Sequence, residues 1–198
     1  VTETVHRREA RRVETTHRLR RRALELTRDK GFDGWTMDDL AASAEVSRRT
    51  VFNYFDSKLD VVLGPDHEPP AEALAAFVAK RPTGDLVDDM AALAVEVIQE
   101  KQTELDLVML ARAVILTEPH LVALVHERFE AKMTDLVDLI IQREGEDYGR
   151  AQAELAVRLI VTVFDTALSR IDPAEPKPID DHIADAVIDA RRLFARTT

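Results

Sequence analysis

The sequence predicts an all-α protein, with a small three-helix head over residues 1–63 and a larger helical body over residues 64–198. Three observations carry this prediction. Apolar residues recur at intervals of three and four, with no strand-type alternation and no internal repeat. Glycine and proline clusters cut the chain at helix-length intervals. Residues 36–59, TMDDLAASAEVSRRTVFNYFDSKL, read as two short amphipathic helices joined by a tight turn.

Leu19, Ala23 and Leu26 mark the first helix, which Gly31 can end in a left-handed conformation. Ahead of it the chain is basic: over the first 22 residues Arg7, Arg8, Arg11, Arg12, Arg18, Arg20, Arg21 and Arg22 face only Glu3, Glu9 and Glu14. This arm is either a solvated terminus or, before residue 14, a contact to DNA backbone or minor groove.

Thr36 is a good N-cap with Asp39 three residues on, so the next helix begins there. Met37, Leu40, Ala41 and Ala44 form its apolar stripe, while Asp38, Asp39 and Ser43 face water. The stripe breaks at Glu45-Val46, and Ser47 offers a second N-cap for Arg49 or Thr50. Two helices this close cross steeply, the geometry of a helix-turn-helix whose second helix enters the DNA major groove. In that second helix Val51 and Phe55 point inward, leaving Arg48, Arg49, Thr50, Phe52 and Asn53 around the outer face and the N-terminal end. Arginine can take guanine O6 and N7 with two hydrogen bonds, asparagine can do the same for adenine, and threonine or an aromatic edge can touch a thymine methyl. Tyr54 and Lys58 suit phosphates. An arginine pair on a surface helix is by itself only solvated charge; the caps, the steep turn, the basic tip and the aromatic end together point to DNA.

The run AEVSRRTVFNYFDSK, preceded by TMDDLAASA and by a helix ending in Gly31-Phe32, resembles the N-terminal domain of TetR-type transcriptional regulators over about residues 14–62. The resemblance implies a homodimeric, all-helical repressor of a palindromic double-stranded DNA operator, whose C-terminal domain dimerises and binds a small-molecule inducer. It implies phosphate contacts at Thr36, Ser47, Thr50, Tyr54 and Lys58, with Arg48, Arg49 and Asn53 facing bases. Glu45 stands where the family usually has glycine, which at positive φ costs on the order of 1 kcal/mol. Phe52 replaces a common tyrosine and Asp56 a common proline.

The net charge of −10 is divided along the chain. Residues 1–60 hold 13 Lys or Arg against 11 Asp or Glu, a net of +2, and residues 61–198 hold 14 against 26, a net of −12. DNA is drawn to the head and repelled by the body. No segment approaches the roughly 18 consecutive apolar residues of a membrane span, and no apolar stretch follows the arginine-rich start. A cytoplasmic protein with no membrane contact and no secretory leader is therefore expected. With no cysteine there is no disulfide, thiolate zinc site or cysteine nucleophile.

After Ser57, which with Asp60 can cap a further helix, Gly64-Pro65-Asp66-His67-Glu68-Pro69-Pro70 breaks the chain and marks the domain boundary. Helices are expected near 71–80, 85–102, 104–117, 120–144, 150–171 and 179–196. Residues 105–116, LDLVMLARAVIL, are apolar nearly all round and should be central and buried, with Arg112 needing either an ion-pair partner such as Glu96 or Asp165 or an anionic ligand. Met90, Leu93, Val97, Met109, Arg112, Leu116, Phe129, Met133 and Phe164 are candidate effector-pocket walls, although such residues at helical spacing are more often plain core. The last two helices carry broad apolar stripes. Leu155, Leu159, Val163, Ala167, Ile183, Val187, Ala190, Leu193 and Phe194 either complete the monomer core or form the four-helix dimer interface that the resemblance implies.

An enzyme is the rival class, but the chain has no nucleophile elbow, no HExxH and no glycine-rich phosphate loop, and neither cofactor nor metal is expected. His120 and His126 are six apart and lie on different faces of one helix; His67 and His182 read as solvated. A third class is a DNA-binding protein without a ligand, which an apolar cavity in the body would argue against.

Overall fold

A computed structural model describes residues 2–64, 69–99, 105–172 and 177–195; the side chains of 2–6, 9, 97–99 and 105 lie outside that description. Among the described residues there are ten α-helices and no strand: α1 (Thr2–Lys30), α2 (Met37–Ser43), α3 (Arg48–Phe52), α4 (Lys58–Leu63), α5 (Ala71–Val78), α6 (Leu86–Gln99), α7 (Leu105–Thr117), α8 (Pro119–Glu144), α9 (Arg150–Ser169) and α10 (Ile179–Ala195). The expected helices are present within a few residues at each end. Residues 100–104, over which two of the expected helices run, and residue 196 lie outside the described residues. No single helix among those described is long and apolar enough to cross a membrane.

The chain forms two compact units, residues 1–67 with 103–127 and residues 68–102 with 128–198. A head closed at residue 63 thus omits a segment that its core uses. Leu19, Leu24, Trp35, Leu40, Val51, Phe55, Val61 and Val62 from α1–α4 pack with Leu107, Ala111 and Val114 of α7 and Leu121 at the start of α8. The expectation that residues 105–116 are buried all round is corrected here. One stripe of α7 is buried, while Leu116 is 62% exposed.

Helix α1 begins at Thr2, so the basic arm is helical and continuous with the first helix. Three of its arginines have structural work. Arg20 is buried, donating from Nη2 to the Leu63 carbonyl at the end of α4 at 3.2 Å. Gly64, at φ +89°, lets it approach: a Cβ there would sit 2.7 Å from the guanidinium carbon. Arg21 pairs with Asp106, and Arg22 with Glu25. Trp35 Nε1 donates to Thr27 Oγ1 at 3.0 Å, and that hydroxyl donates to the Ala23 carbonyl at 2.7 Å. Two buried polar groups satisfy each other, so the tryptophan is anchored to α1 without an orphaned donor.

In the second unit Phe77, Met133, Val137, Ile140, Ala153 and Val157 form the core. Beside it lies an ion pair with no side-chain exposure on either partner. Arg143 donates from Nη2 to Asp89 at 2.6 Å and from Nη1 to the Phe77 carbonyl, and its guanidinium lies 4.7 Å over the Phe77 ring. Asp89 also accepts from the Thr83 amide and hydroxyl and from the Gly84 amide. Burial pushes the Asp89 carboxyl up, but these donors and Arg143 outweigh it and hold its pKa below 3.8. His182, expected to be solvated, is buried instead. It shares the stripe Ile179, His182, Ile183, Ala186, Val187 that α10 turns inward.

Asp89→Ala removes one partner and leaves a buried, unpaired guanidinium, a cost of about 3–5 kcal/mol in a urea titration followed by circular dichroism. Asp89→Leu with Arg143→Met should recover most of that loss. Because the Asp89 pKa is depressed, its contribution is complete above pH 3.8 and is lost as pH falls through the lower folded value, so the wild type should lose this acid-labile increment and the double variant should not.

Candidate nucleic-acid interface

Local sequence chemistry fixes both ends of each short helix. Thr36 and Asp39 form a reciprocal capping box: the Asp39 amide donates to the Thr36 hydroxyl at 3.2 Å and the Thr36 amide to the Asp39 carboxylate at 2.8 Å. The Thr36 hydroxyl and amide lower the Asp39 pKa. At the far end of α2 the Val46 amide bonds to the Ala41 carbonyl and the Glu45 amide to the Ala42 carbonyl, with Glu45 at φ 55°. This is a Schellman stop built without glycine. Ser47 then caps α3, accepting from the Thr50 amide at 3.0 Å.

The turn presents Arg48, Arg49, Phe52 and Asn53 together on the exposed side of α3, while Val51 and Phe55 face the core. Arg48 is held in place: Nη1 donates to Asp38 on α2 at 3.1 Å, and its guanidinium lies 5.3 Å from the Phe52 ring. Asp38, expected only to face water, is therefore a member of the constellation. Its link to Arg48 spans the turn and corresponds to no helical spacing. The Ser47 and Thr50 hydroxyls lie 2.8 Å apart and share one proton between them, leaving the other for an acceptor such as a phosphate oxygen. Thr36 already donates its hydroxyl proton to Asp39 at 2.7 Å. Tyr54 is half-buried against the head core.

Lys58 differs most from the phosphate contact expected of it. Its ammonium donates to the Trp35 carbonyl and sits 4.3 Å from the Trp35 ring and 4.8 Å from Phe32. Burial lowers its pKa, with Asp33 and Asp39 partly restoring it. The aromatic cluster extends to the start of α8, where His120 meets Phe32 edge-on at 5.7 Å and bonds Asp33 at 3.1 Å. Residues 103–127 bring one arginine and four acids, so residues 1–67 with 103–127 hold 14 Lys or Arg against 16 Asp or Glu, a net of −2. Positive charge is thus local to α3 and to Arg7, Arg8, Arg11, Arg12 and Arg18, all exposed along α1.

The structure divides the expected pocket walls. Met109, Arg112 and Leu116 lie in the first unit, with Arg112 half-buried. In the second unit Met133 is core, Met90, Leu93 and Phe129 pack against it, and Phe164 is half-buried; the Val97 side chain lies outside the description. The expected interface set divides as well. Ala167, Ile183 and Val187 are buried within the chain, where α9 and α10 pack on each other, which corrects their assignment to a subunit face. Leu155, Leu159, Leu193 and Phe194 are exposed, and Val163 and Ala190 are half-buried. Between α6, α9 and α10 runs an apolar cleft of about 280 Å³ whose walls include Met90, Leu155, Leu159, Val163, Val187, Ala190 and Phe194, with Arg191 at its edge paired to Asp85 and Asp88.

Residues 19–63 match the family described as bacterial regulatory proteins, tetR family. No curated protein matches the chain.

The single tryptophan, Trp35, lies in the core of this head, so its fluorescence follows head unfolding. Lys58→Met should lower head stability by about 1–2 kcal/mol with no DNA present, because it removes two ring contacts and a carbonyl bond. Glu45→Gly should raise stability by about 1 kcal/mol, since only glycine takes that φ without steric cost. A Lys58→Met head as stable as the wild type would return the residue to a phosphate contact alone.

Proposed function

We propose, on the match of residues 19–63 to the tetR family, that the chain is a tetR-family regulator and a cytoplasmic homodimeric repressor. It binds a palindromic operator and releases it when a small molecule occupies the C-terminal helices. The observation that carries the reading is α3 itself, a capped helix whose exposed side gathers two arginines, an asparagine and an aromatic ring, the side chains that read base edges in the major groove. Leu155, Leu159, Leu193 and Phe194 support the dimer, being 57%, 41%, 74% and 71% exposed on α9 and α10, where large apolar side chains gain by meeting a second copy. The effector reading is supported by the cleft between α6, α9 and α10, which shares Leu155, Leu159 and Phe194 with that face, so effector and second copy would meet at one site. Arg191 is already neutralised there by Asp85 and Asp88, so the cleft suits an uncharged, largely apolar molecule rather than the anion that Arg112 suggested.

The test is operator binding by the full chain, with the duplex selected from a random pool. The selected site should be an inverted repeat, with half-sites roughly 34–36 Å apart or a multiple of that. Leu193→Asp with Phe194→Asp should sediment as a folded monomer and lose about a hundred-fold or more in operator affinity, because each half-site then binds alone. A variant that stays dimeric and fully active would remove these helices from the interface. A compound that releases the operator must in turn bind operator-loaded protein more weakly by the same factor.

A further inference from the structure

We propose that Arg48, Phe52 and Asp38 form one reading unit, which selects in each half-site a G·C pair with a T·A pair directly beside it. Arg48 takes the guanine, Phe52 takes the thymine methyl, and Asp38 acts as a positioning residue for Arg48. The inference rests on the DNA-binding reading and adds to it which of two adjacent arginines reads a base, and which two-base step is read.

The argument begins with the difference between neighbours. Arg48 and Arg49 are both exposed at the start of α3. Only the Arg48 side chain is held, by Asp38 through Nη1 and by the Phe52 ring beneath its guanidinium; among the described residues the Arg49 side chain makes no hydrogen bond, ion pair or ring contact. A guanidinium fixed before it meets DNA loses less freedom on forming a bidentate bond. Asp38 uses Nη1 alone, so the edge carrying Nε–H and Nη2–H stays available, and its two parallel donors match guanine O6 and N7. Arg49, unrestrained, suits a phosphate, which accepts charge from many directions and carries no sequence.

Phe52 supplies the second base. Its ring is 41% exposed although it is fully apolar, and stacking on Arg48 leaves one edge turned outward. In the major groove the one apolar base substituent is the thymine methyl. The 5.3 Å between guanidinium and ring centre is shorter than two base-pair rises of roughly 3.4 Å each, so Phe52 reaches no pair beyond the neighbour of the one Arg48 takes. A tyrosine hydroxyl at residue 52 would add a polar atom to that edge; phenylalanine keeps it apolar.

The experiment is selection of random duplexes by the full chain and its variants, each checked for folding by circular dichroism, with competition between single-base changes in the selected site. The wild type should enrich a guanine beside a thymine in each half-site. Arg48→Lys keeps the charge but loses the bidentate fork, so guanine preference should fall roughly ten-fold or more while the salt dependence holds. Phe52→Ala should keep the guanine and lose the thymine preference several-fold. Asp38→Ala should relax the guanine preference, and Asp38→Asn, which still accepts a hydrogen bond, should restore it. Arg49→Ala should weaken all duplexes alike and reduce the salt slope by about 1. If Arg49→Ala and not Arg48→Lys flattens the guanine, or if the step is missing from the wild-type site, the assignment is overturned while the regulator reading stands. If the wild type enriches no sequence at all, both fall.

Discussion

The head depends on the closure of the turn between α2 and α3. Two backbone bonds, Val46 to Ala41 and Glu45 to Ala42, stop α2 and turn the chain within three residues, and Ser47 restarts it at once. The stop requires a left-handed residue, and Glu45 takes that conformation against the steric preference of its own Cβ. Burial on either side holds it there: Leu40, Ala41 and Ala44 before the turn and Val51 and Phe55 after it all enter one core. The strain is small beside the apolar surface those residues remove from water. Across this turn Asp38 on α2 reaches Arg48 on α3, a contact made within the head itself.

Polar chemistry divides into two kinds in this molecule. In the head, Arg7, Arg8, Arg11, Arg12 and Arg18 on α1 and Arg49 on α3 are exposed, while Arg20 is buried against the end of α4, so a basic residue type alone does not mark a DNA contact. Lys58 makes the same point: aromatic faces and a backbone carbonyl hold its ammonium within the head. In the second unit burial makes the Arg143–Asp89 pair expensive: the carboxylate balances the guanidinium, and three further donors, the Thr83 amide and hydroxyl and the Gly84 amide, converge on that carboxylate.

What was legible in the sequence was local. Caps at Thr36, Ser47 and Ser57, the apolar stripe of α2 and the inward pair Val51 and Phe55 are each set by neighbours a few residues away, and the matched family covers the same stretch. Misreadings came where distant segments decide. Arg112 has apolar neighbours in the sequence yet is only half-buried, whereas Arg143, in the ordinary-looking run IIQRE, is buried, since Phe77 and Asp89 meet it from 66 and 54 residues away. Ala167, Ile183 and Val187 have the periodicity of an exposed seam and of a buried one alike, and only the packing of α9 on α10 distinguishes them. The polar face of α2 gave no sign of Asp38, because a contact across a turn has no period.

Leu107, Ala111, Val114 and Leu121 have a consequence for how this architecture can be exchanged. They fill the head core from roughly forty to sixty residues beyond α4, so the stretch that matches the family is not a detachable cassette. A chimaera that grafts residues 1–63 onto a foreign body would bare the apolar flank of α1 and α4 unless it also carried residues 103–127. Sequence drift in α7 is then constrained by the core it shares with α1–α4, and recombination between relatives is expected to inherit the two segments as a single block.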